Sequence, residues 1–235
     1  MFEELDGDIV SVAALGEPVR RNLYRYVVAQ DRPVGREQAA AGVGVAHHVA
    51  KFNLDKLVTD GLLEVEYSRP PGRTGPGAGR PAKLYRRATR DISVTLPERH
   101  YDLAGHVMGE AITIAMRDAV PVGDALRKVA RATGRRLGET AEPAGLTAPL
   151  EAVSHVLACN GYEPRAAADG LILANCPFHR LAENYTELVC GLNLDLIDGL
   201  LDAIGHEGVC ARLDPGPGRC CVTLGTSDGE HPAGR

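Results

Sequence analysis

All six cysteines, Cys159, Cys176, Cys190, Cys210, Cys220 and Cys221, fall in the last 77 residues, and the first 158 residues contain none. The chain is split chemically, and no internal repeat relates its two ends. At 235 residues, against roughly 150 for a common domain, two modest domains are expected. No run approaches the ~18 consecutive apolar residues of a spanning helix. The opening MFEELDGDIV is acidic where a secretory signal is basic and then apolar. Neither membrane insertion nor export is expected, so the expected location is cytoplasmic. There a reducing medium keeps thiols free for metals or redox chemistry rather than for disulfides.

Charge divides the chain in the same way. Residues 1–91 hold 14 Lys+Arg against 12 Asp+Glu, a net of +2, which leaves 12 against 19, or −7, for the remainder of a chain whose formal total is −5. Within the front end, residues 69–90 carry Arg69, Arg73, Arg80, Lys83, Arg86, Arg87 and Arg90 and no acid. A local basic strip on an acidic protein points to an element that faces phosphates.

The sequence around that strip predicts the fold of the front end. EPVRRNLYRYVVAQ places Val19, Leu23, Tyr26 and Val27 on one helical face behind an early Pro. A short helix, REQAAAG, a GVG turn and a longer helix, VAHHVAKFNLDKLVTDG, then make a helix-turn-helix pattern that ends at a Gly suited to a C-cap. Ala50, Leu54, Leu57 and Val58 share one side of the second helix and leave His48, Phe52, Asp55, Lys56 and Thr59 opposite. LLEVEYSR and AKLYRRA read as two strands around the long basic tip PPGRTGPGAGRP, a winged-helix hairpin. The expected DNA contacts are His48, Lys51, Phe52, Asn53 and Lys56 on the helix, for bases, and Arg69, Arg73, Arg80 and Lys83 on the hairpin, for backbone phosphates. His47 and His48 do not suit a metal pair, because helix neighbours point about 100° apart.

Behind ISVTLPE, read as an extended linker, RHYDLAGHVMGEAITIAMRDA and DALRKVARATGRRLGE predict two helices, the first with a broad apolar side suited to dimerisation. From about residue 150 the pattern turns mixed: a helix over PLEAVSHVLACNG, a hairpin over YEPRAAADG and LILANC, and helices over CPFHRLAENYTELVCG and LNLDLIDGLLDAIG. A closing strand pair spans VCARLDPGPGRCCVTLG. The predicted class is α+β: a winged helix-turn-helix domain (1–91), a helical dimerisation connector (92–148) and a small cysteine-bearing α+β sensor domain (149–235).

This reading puts Cys176 at a strand end and Cys190 at the end of the next helix. A straight helix between them would be about 20 Å long at ~1.5 Å per residue, too far for one metal unless the helix begins late, bends, or leaves Cys176 on a loop that folds back. Cys220 and Cys221, adjacent in a strand, would point to opposite faces. Cys159 and Cys210, flanked by apolar residues, read as small buried hydrophobes. His179, Glu183 and Glu187 are spaced i, i+4, i+8, which is also the pattern of a solvated helix face. No nucleophile–base arrangement or phosphate loop is fixed by the sequence, so no enzymatic activity is expected.

Residues 8–88, through LDKLVTDGLLEVE and GRTGPGAGRPAKLYRR, resemble the ArsR-like winged-helix transcription regulators. NCPFHRLAENYTELVCG with PGPGRCCV resembles the C-terminal domain of the Suf-operon repressor family, iron–sulfur regulators with a winged-helix front end. The resemblance implies a cytoplasmic homodimeric repressor on a double-stranded operator with an inverted repeat. It also implies cluster ligation by Cys176, Cys190 and one of Cys220 and Cys221, with Cys220 preferred. The spacing, C-x13-C-x29-C, is unlike the tight runs of ferredoxins, so the neighbouring residues carry the likeness. Some relatives place a His shortly after the second cysteine where this chain has Asn193. The fourth ligand stays open among Cys221, Cys159, Cys210, His179 and an outside ligand. The implied cofactor is an iron–sulfur cluster, [4Fe–4S] ahead of [2Fe–2S], that senses O₂, NO or iron status; the alternatives are zinc or thiol oxidation.

Overall fold

The computed structural model describes residues 2–68, 81–141, 148–205 and 208–226, with side chains from residue 5 onward. It is mixed α+β, with nine helices and two small antiparallel sheets among the described residues, in two compact units, Met1–Val94 and Thr95–Arg235. No helix among those residues is long and apolar enough to cross a membrane.

In the first unit, α1 (Phe2–Ala14) is a helix that the sequence reading did not assign. Tertiary bonds hold it. Ser11 Oγ donates to the Asp60 carbonyl (2.6 Å), and the Asp8 carboxylate takes the Arg90 guanidinium and the Ser93 amide (3.0 Å). Next come α2 (Pro18–Val28), β1 (Val34–Gly35), α3 (Arg36–Val43), α4 (His47–Thr59), β2 (Leu63–Ser68) and β3 (Ala82–Arg87). Glu17 caps α2 by accepting the Val19 and Arg20 amides (3.0 and 2.6 Å), and Pro18 costs that first turn no donor. Gly44 ends α3 at φ 73°, a left-handed conformation that glycine adopts without a Cβ penalty. The amphipathic faces converge as their spacing predicts: Leu23 and Val27 of α2, Ala39 of α3, Ala50, Leu54 and Leu57 of α4, and Tyr85 of β3 are buried in one cluster. β2 and β3 pair antiparallel from Leu63↔Arg87 to Ser68↔Ala82, and β1 adds to the other edge of β3.

The second unit holds α5 (Tyr101–Asp118), α6 (Val122–Thr140), α7 (Pro149–Cys159), β4 (Pro164–Ala167), β5 (Gly170–Leu173), α8 (His179–Asn184), α9 (Thr186–Ile204), β6 (Val209–Leu213) and β7 (Val222–Thr226). The sheet runs β4-β5-β7-β6, antiparallel throughout. The expected separation of a connector (92–148) from a sensor (149–235) does not appear: α5 and α6 share one core with α9, β5 and β7. The physical reason lies in three glycines. A Cβ on Gly134 of α6 would stand 1.8 Å from the Leu196 carbonyl oxygen, and one on Gly199 of α9 would stand 2.0 Å from that of Arg131. Gly138 likewise lies against the Leu200 carbonyl. The α6 and α9 backbones therefore approach closely, and Asp202 joins them again by accepting from Arg131 (2.9 Å) and Arg135 (3.0 Å).

Candidate functional site

Cys176 sits on a loop pinned from several sides. β5 ends at Leu173, three residues earlier than expected. Arg99 then donates through Nη1 to the Cys176 carbonyl (3.2 Å) and to Asn175 Oδ1, while Asn175 Nδ2 donates to the Gly161 carbonyl (2.7 Å) and the Glu98 carbonyl (3.1 Å). The helix expected to run unbroken from this loop to Cys190 begins late and breaks. α8 spans only His179–Asn184, Tyr185 leaves helical geometry at φ −134°, ψ 51°, and α9 starts afresh at Thr186. Cys190 thus lies near the start of α9, which continues past Gly191 to Ile204, instead of at a helix end. That break removes the ~20 Å separation a straight helix would impose.

Cys220 and Cys221 precede β7 and are not part of a strand. The alternation of side chains across a pleat does not apply to them, and each meets a different thiol. The Cys220 thiol interacts with Cys176, and Cys221 with Cys190; across the pairs, Cys176 feels the charge of Cys190 and Cys221, and Cys190 that of Cys220. Cys176, Cys190 and Cys220 are buried and Cys221 is half-buried. Among the described residues, no three His, Cys, Asp or Glu side chains close into a metal-holding group. The arrangement is two adjoining pairs.

The pairs are electrically unequal. Hydrogen bonding from Cys220 holds the Cys176 thiol below its usual range in spite of burial. Cys220 is pushed up in turn, first by Cys176 and then by burial. Burial, reinforced by Cys221, raises Cys190 to about 12.

The Cys220 sulfur has its own donors. Asn193 Nδ2, on α9, donates to it at 3.3 Å and the Val222 amide at 3.5 Å, while Asn193 Oδ1 accepts from the Tyr162 hydroxyl at 2.5 Å. Asn193 is 1% exposed and Tyr162 3%. N–H donors to a cysteine sulfur stabilise thiolate charge and tune a metal bound to it. In the sequence Asn193 stood out only as a departure from a His-bearing pattern; its bond to sulfur depends on α9 packing over the loop before β7.

The remaining candidates lie elsewhere. Cys210 is exposed on β6 and Cys159 half-buried, with its sulfur 3.7 Å from His155 Nε2; neither is the buried core residue expected from its apolar neighbours. His179 and Glu183 pair at 3.4 Å on α8, and the break at Tyr185 separates Glu187 from their face.

In the first unit, His48, Lys51, Phe52 and Lys56 are exposed on α4, Phe52 to 69%. Asn53 is not. It is 8% exposed, and its Nδ2 donates back to the Val49 carbonyl at 3.0 Å. Four residues before Leu57, it stands at the edge of the side that carries Ala50, Leu54 and Leu57 and is turned into the core, which corrects the expectation that it faces DNA. Lys56 is tied to the buried Asp60 (2.7 Å), and Lys83 to Asp55 Oδ1 (2.5 Å), which also accepts from the Tyr85 hydroxyl (2.7 Å). A cavity of about 530 Å³ is lined by Arg36, Lys51, Asp55, Tyr67 and Lys83. Arg69, Arg73 and Arg80 lie outside the described residues.

Comparison with protein-family models, curated proteins and solved structures yields no match.

Proposed function

We propose that this chain is a DNA-binding transcription regulator, a repressor acting as a homodimer on an inverted repeat, whose affinity for its operator is set at the cysteine site of the second unit. The observation that carries the reading is the convergence of Cys176, Cys190, Cys220 and Cys221, which stand up to 45 positions apart in sequence, into adjoining pairs, with two N–H donors on the Cys220 sulfur. The chain order α2, α3, short turn, α4, β2, β3 supports a winged helix. The exposed His48, Lys51, Phe52 and Lys56 and the acid-free strip at 69–90 support contact with duplex DNA.

An all-thiol donor set suits a soft metal centre, and the residues that would hold an iron–sulfur cluster are Cys176, Cys190 and Cys220, with Cys221 beside them. Such a cluster supplies an electron-accepting, oxidant-sensitive centre when bound. The chain's part is to present the sulfurs, to donate to Cys220 through Asn193 and Val222, and to exclude water by burial. The pairing favours a second reading, a thiol switch. Peroxide would take two electrons and two protons from one pair, leaving a disulfide and two waters.

Anaerobic purification followed by iron, acid-labile sulfide and visible absorption tests the cluster, and a gel shift on promoter DNA before and after air or NO tests the regulation. Iron and sulfide together, with a shift that changes on exposure, are expected. A colourless, iron-free protein whose shift responds to peroxide selects the thiol switch, and an absence of any promoter binding rejects both.

A further inference from the structure

The concave surface of the first unit brings α3, α4 and the two longer strands to one place. The cavity there, about 530 Å³, is lined by Arg36 at the start of α3, Lys51 and Asp55 on α4, Tyr67 near the end of β2, and Pro81 and Lys83 around the start of β3. Its size is that of a small-ligand site and exceeds what a bare ion fills. The polar lining is open to solvent. Lys51 and Tyr67 are exposed, Tyr67 to 62%, Arg36 is half-buried, and the Lys83 and Asp55 side chains keep 25% and 39% of their surface.

Three cations and one carboxylate line this cavity, a surplus of two positive charges. The carboxylate is already engaged: Asp55 Oδ1 accepts from Lys83 Nζ (2.5 Å) and from the Tyr85 hydroxyl (2.7 Å), and the same ammonium stands 5.1 Å from the Tyr85 ring centre. Among the described residues, the ion pairs of the first unit are Glu17–Arg20, Asp60–Lys56, Asp55–Lys83, Glu64–Arg86 and Asp8–Arg90. Neither Arg36 nor Lys51 is in that set, and Arg36 acts on Asp55 only through space. Two such cations in a solvent-open concavity attract an anion from outside the chain. Lys51 and Asp55 also share a face of α4 with the exposed His48 and Phe52, so a duplex that offers base edges to Phe52 carries its backbone past the cavity.

We propose that this cavity seats one phosphodiester of duplex DNA together with its adjoining deoxyribose, the phosphate shared by Arg36 and Lys51 and the sugar lying against Tyr67. Arg36 and Tyr67 are contacts outside the set expected from the α4 helix and the hairpin. A guanidinium fork beside an ammonium matches phosphate oxygens, and an aromatic ring matches the apolar face of the sugar. The inference rests on the DNA-binding reading and deepens it, because a phosphate held between α3 and α4 fixes the register in which α4 meets the bases.

Fluorescence anisotropy of the full chain with a labelled random-sequence duplex, at salt from about 50 to 200 mM, tests it. Arg36→Gln is expected to lower the slope of log affinity against log salt by about 1, whereas Arg36→Lys, which keeps the charge, keeps the slope. Arg36→Gln combined with Lys51→Ala should lose less log affinity than the two losses added, since both cations hold one phosphate. Tyr67→Ala, at an exposed position that leaves the fold intact, is expected to weaken binding several-fold at every salt concentration without changing the slope. Arg165→Gln, an exposed cation on β4 of the second unit, leaves affinity and slope as they were. An unchanged slope in a folded Arg36→Gln, full additivity with Lys51→Ala, or unchanged affinity in Tyr67→Ala overturns the shared phosphate while the DNA-binding reading stands. A parent chain that binds no duplex at any of these salt concentrations overturns both.

Discussion

Asn193 joins the Tyr162 hydroxyl to the Cys220 sulfur, accepting from the one through Oδ1 and donating to the other through Nδ2 at 3.3 Å. All three residues are buried, so no water can replace either bond. The Asn193 amide therefore joins the Tyr162 hydroxyl and the Cys220 sulfur in one buried chain of hydrogen bonds.

Asn193→Ala is therefore expected to leave the Tyr162 hydroxyl unpaired in the core and to destabilise the protein by about 2–3 kcal/mol, while Tyr162→Phe costs about 1 kcal/mol. The double variant should fall short of the sum, because the two changes remove one shared bond. Urea midpoints at constant slope measure all three; strict additivity would show that the chain of bonds is not a unit.

The α6–α9 contact gives a prediction of opposite signs. Gly134→Ala and Gly199→Ala each force a Cβ to within 1.8–2.0 Å of a facing carbonyl oxygen, and are expected to cost about 3 kcal/mol or more. Gly109→Ala on α5, where nothing lies within 4 Å, is expected to gain about 0.5–1 kcal/mol from helix propensity. Thermal unfolding followed by circular dichroism reads both, and a neutral Gly134→Ala would contradict the close approach.

Asp55 makes the stability of the first unit depend on acid. Burial resists its ionisation, but the Lys83 ammonium and the Tyr85 hydroxyl, both donating to Oδ1, outweigh it and hold the carboxyl below its usual range. A carboxyl depressed on folding stabilises fully above its unfolded value, about 3.9, and that stability is lost as pH falls through the lower folded value. The difference in unfolding free energy between the parent and Asp55→Asn should be constant from pH 7 to about 5 and shrink below pH 4. A difference independent of pH down to 2 would remove the ion pair as its cause.

For DNA, Lys51→Ala should lower the slope of log affinity against log salt by about 1, one phosphate contact, with little change in fold. Phe52→Ala should alter sequence preference and leave that slope unchanged. Asn53→Ala should weaken the helix and leave the slope unaltered, since its side chain is turned into the core. Gel shifts at several salt concentrations separate the three.

What was legible in the sequence was local. Apolar spacing marked α2, α3 and α4 and their buried residues Leu23, Leu54 and Leu57, and alternation marked β2 and β3. The α1 helix was not legible, because its anchors, Asp60 and Arg90, are far along the chain. Asn53 was misassigned because a wheel at about 100° per residue places it at the margin between faces. Only packing pushes it inward.

The cysteine site divides along the same line. The sequence by itself determined that the thiols are confined to the C-terminal end, and a resemblance singled out Cys176, Cys190 and one of Cys220 and Cys221 with the fourth position open. Only the tertiary structure decided that they meet. The loop held by Arg99 and Asn175, and the place of Cys220, whose amide donates to the Leu173 carbonyl, each depend on partners tens of residues away. Periodicity reports the face a side chain takes on its own element; which elements then touch is set by long-range bonds and by glycines that let two backbones approach.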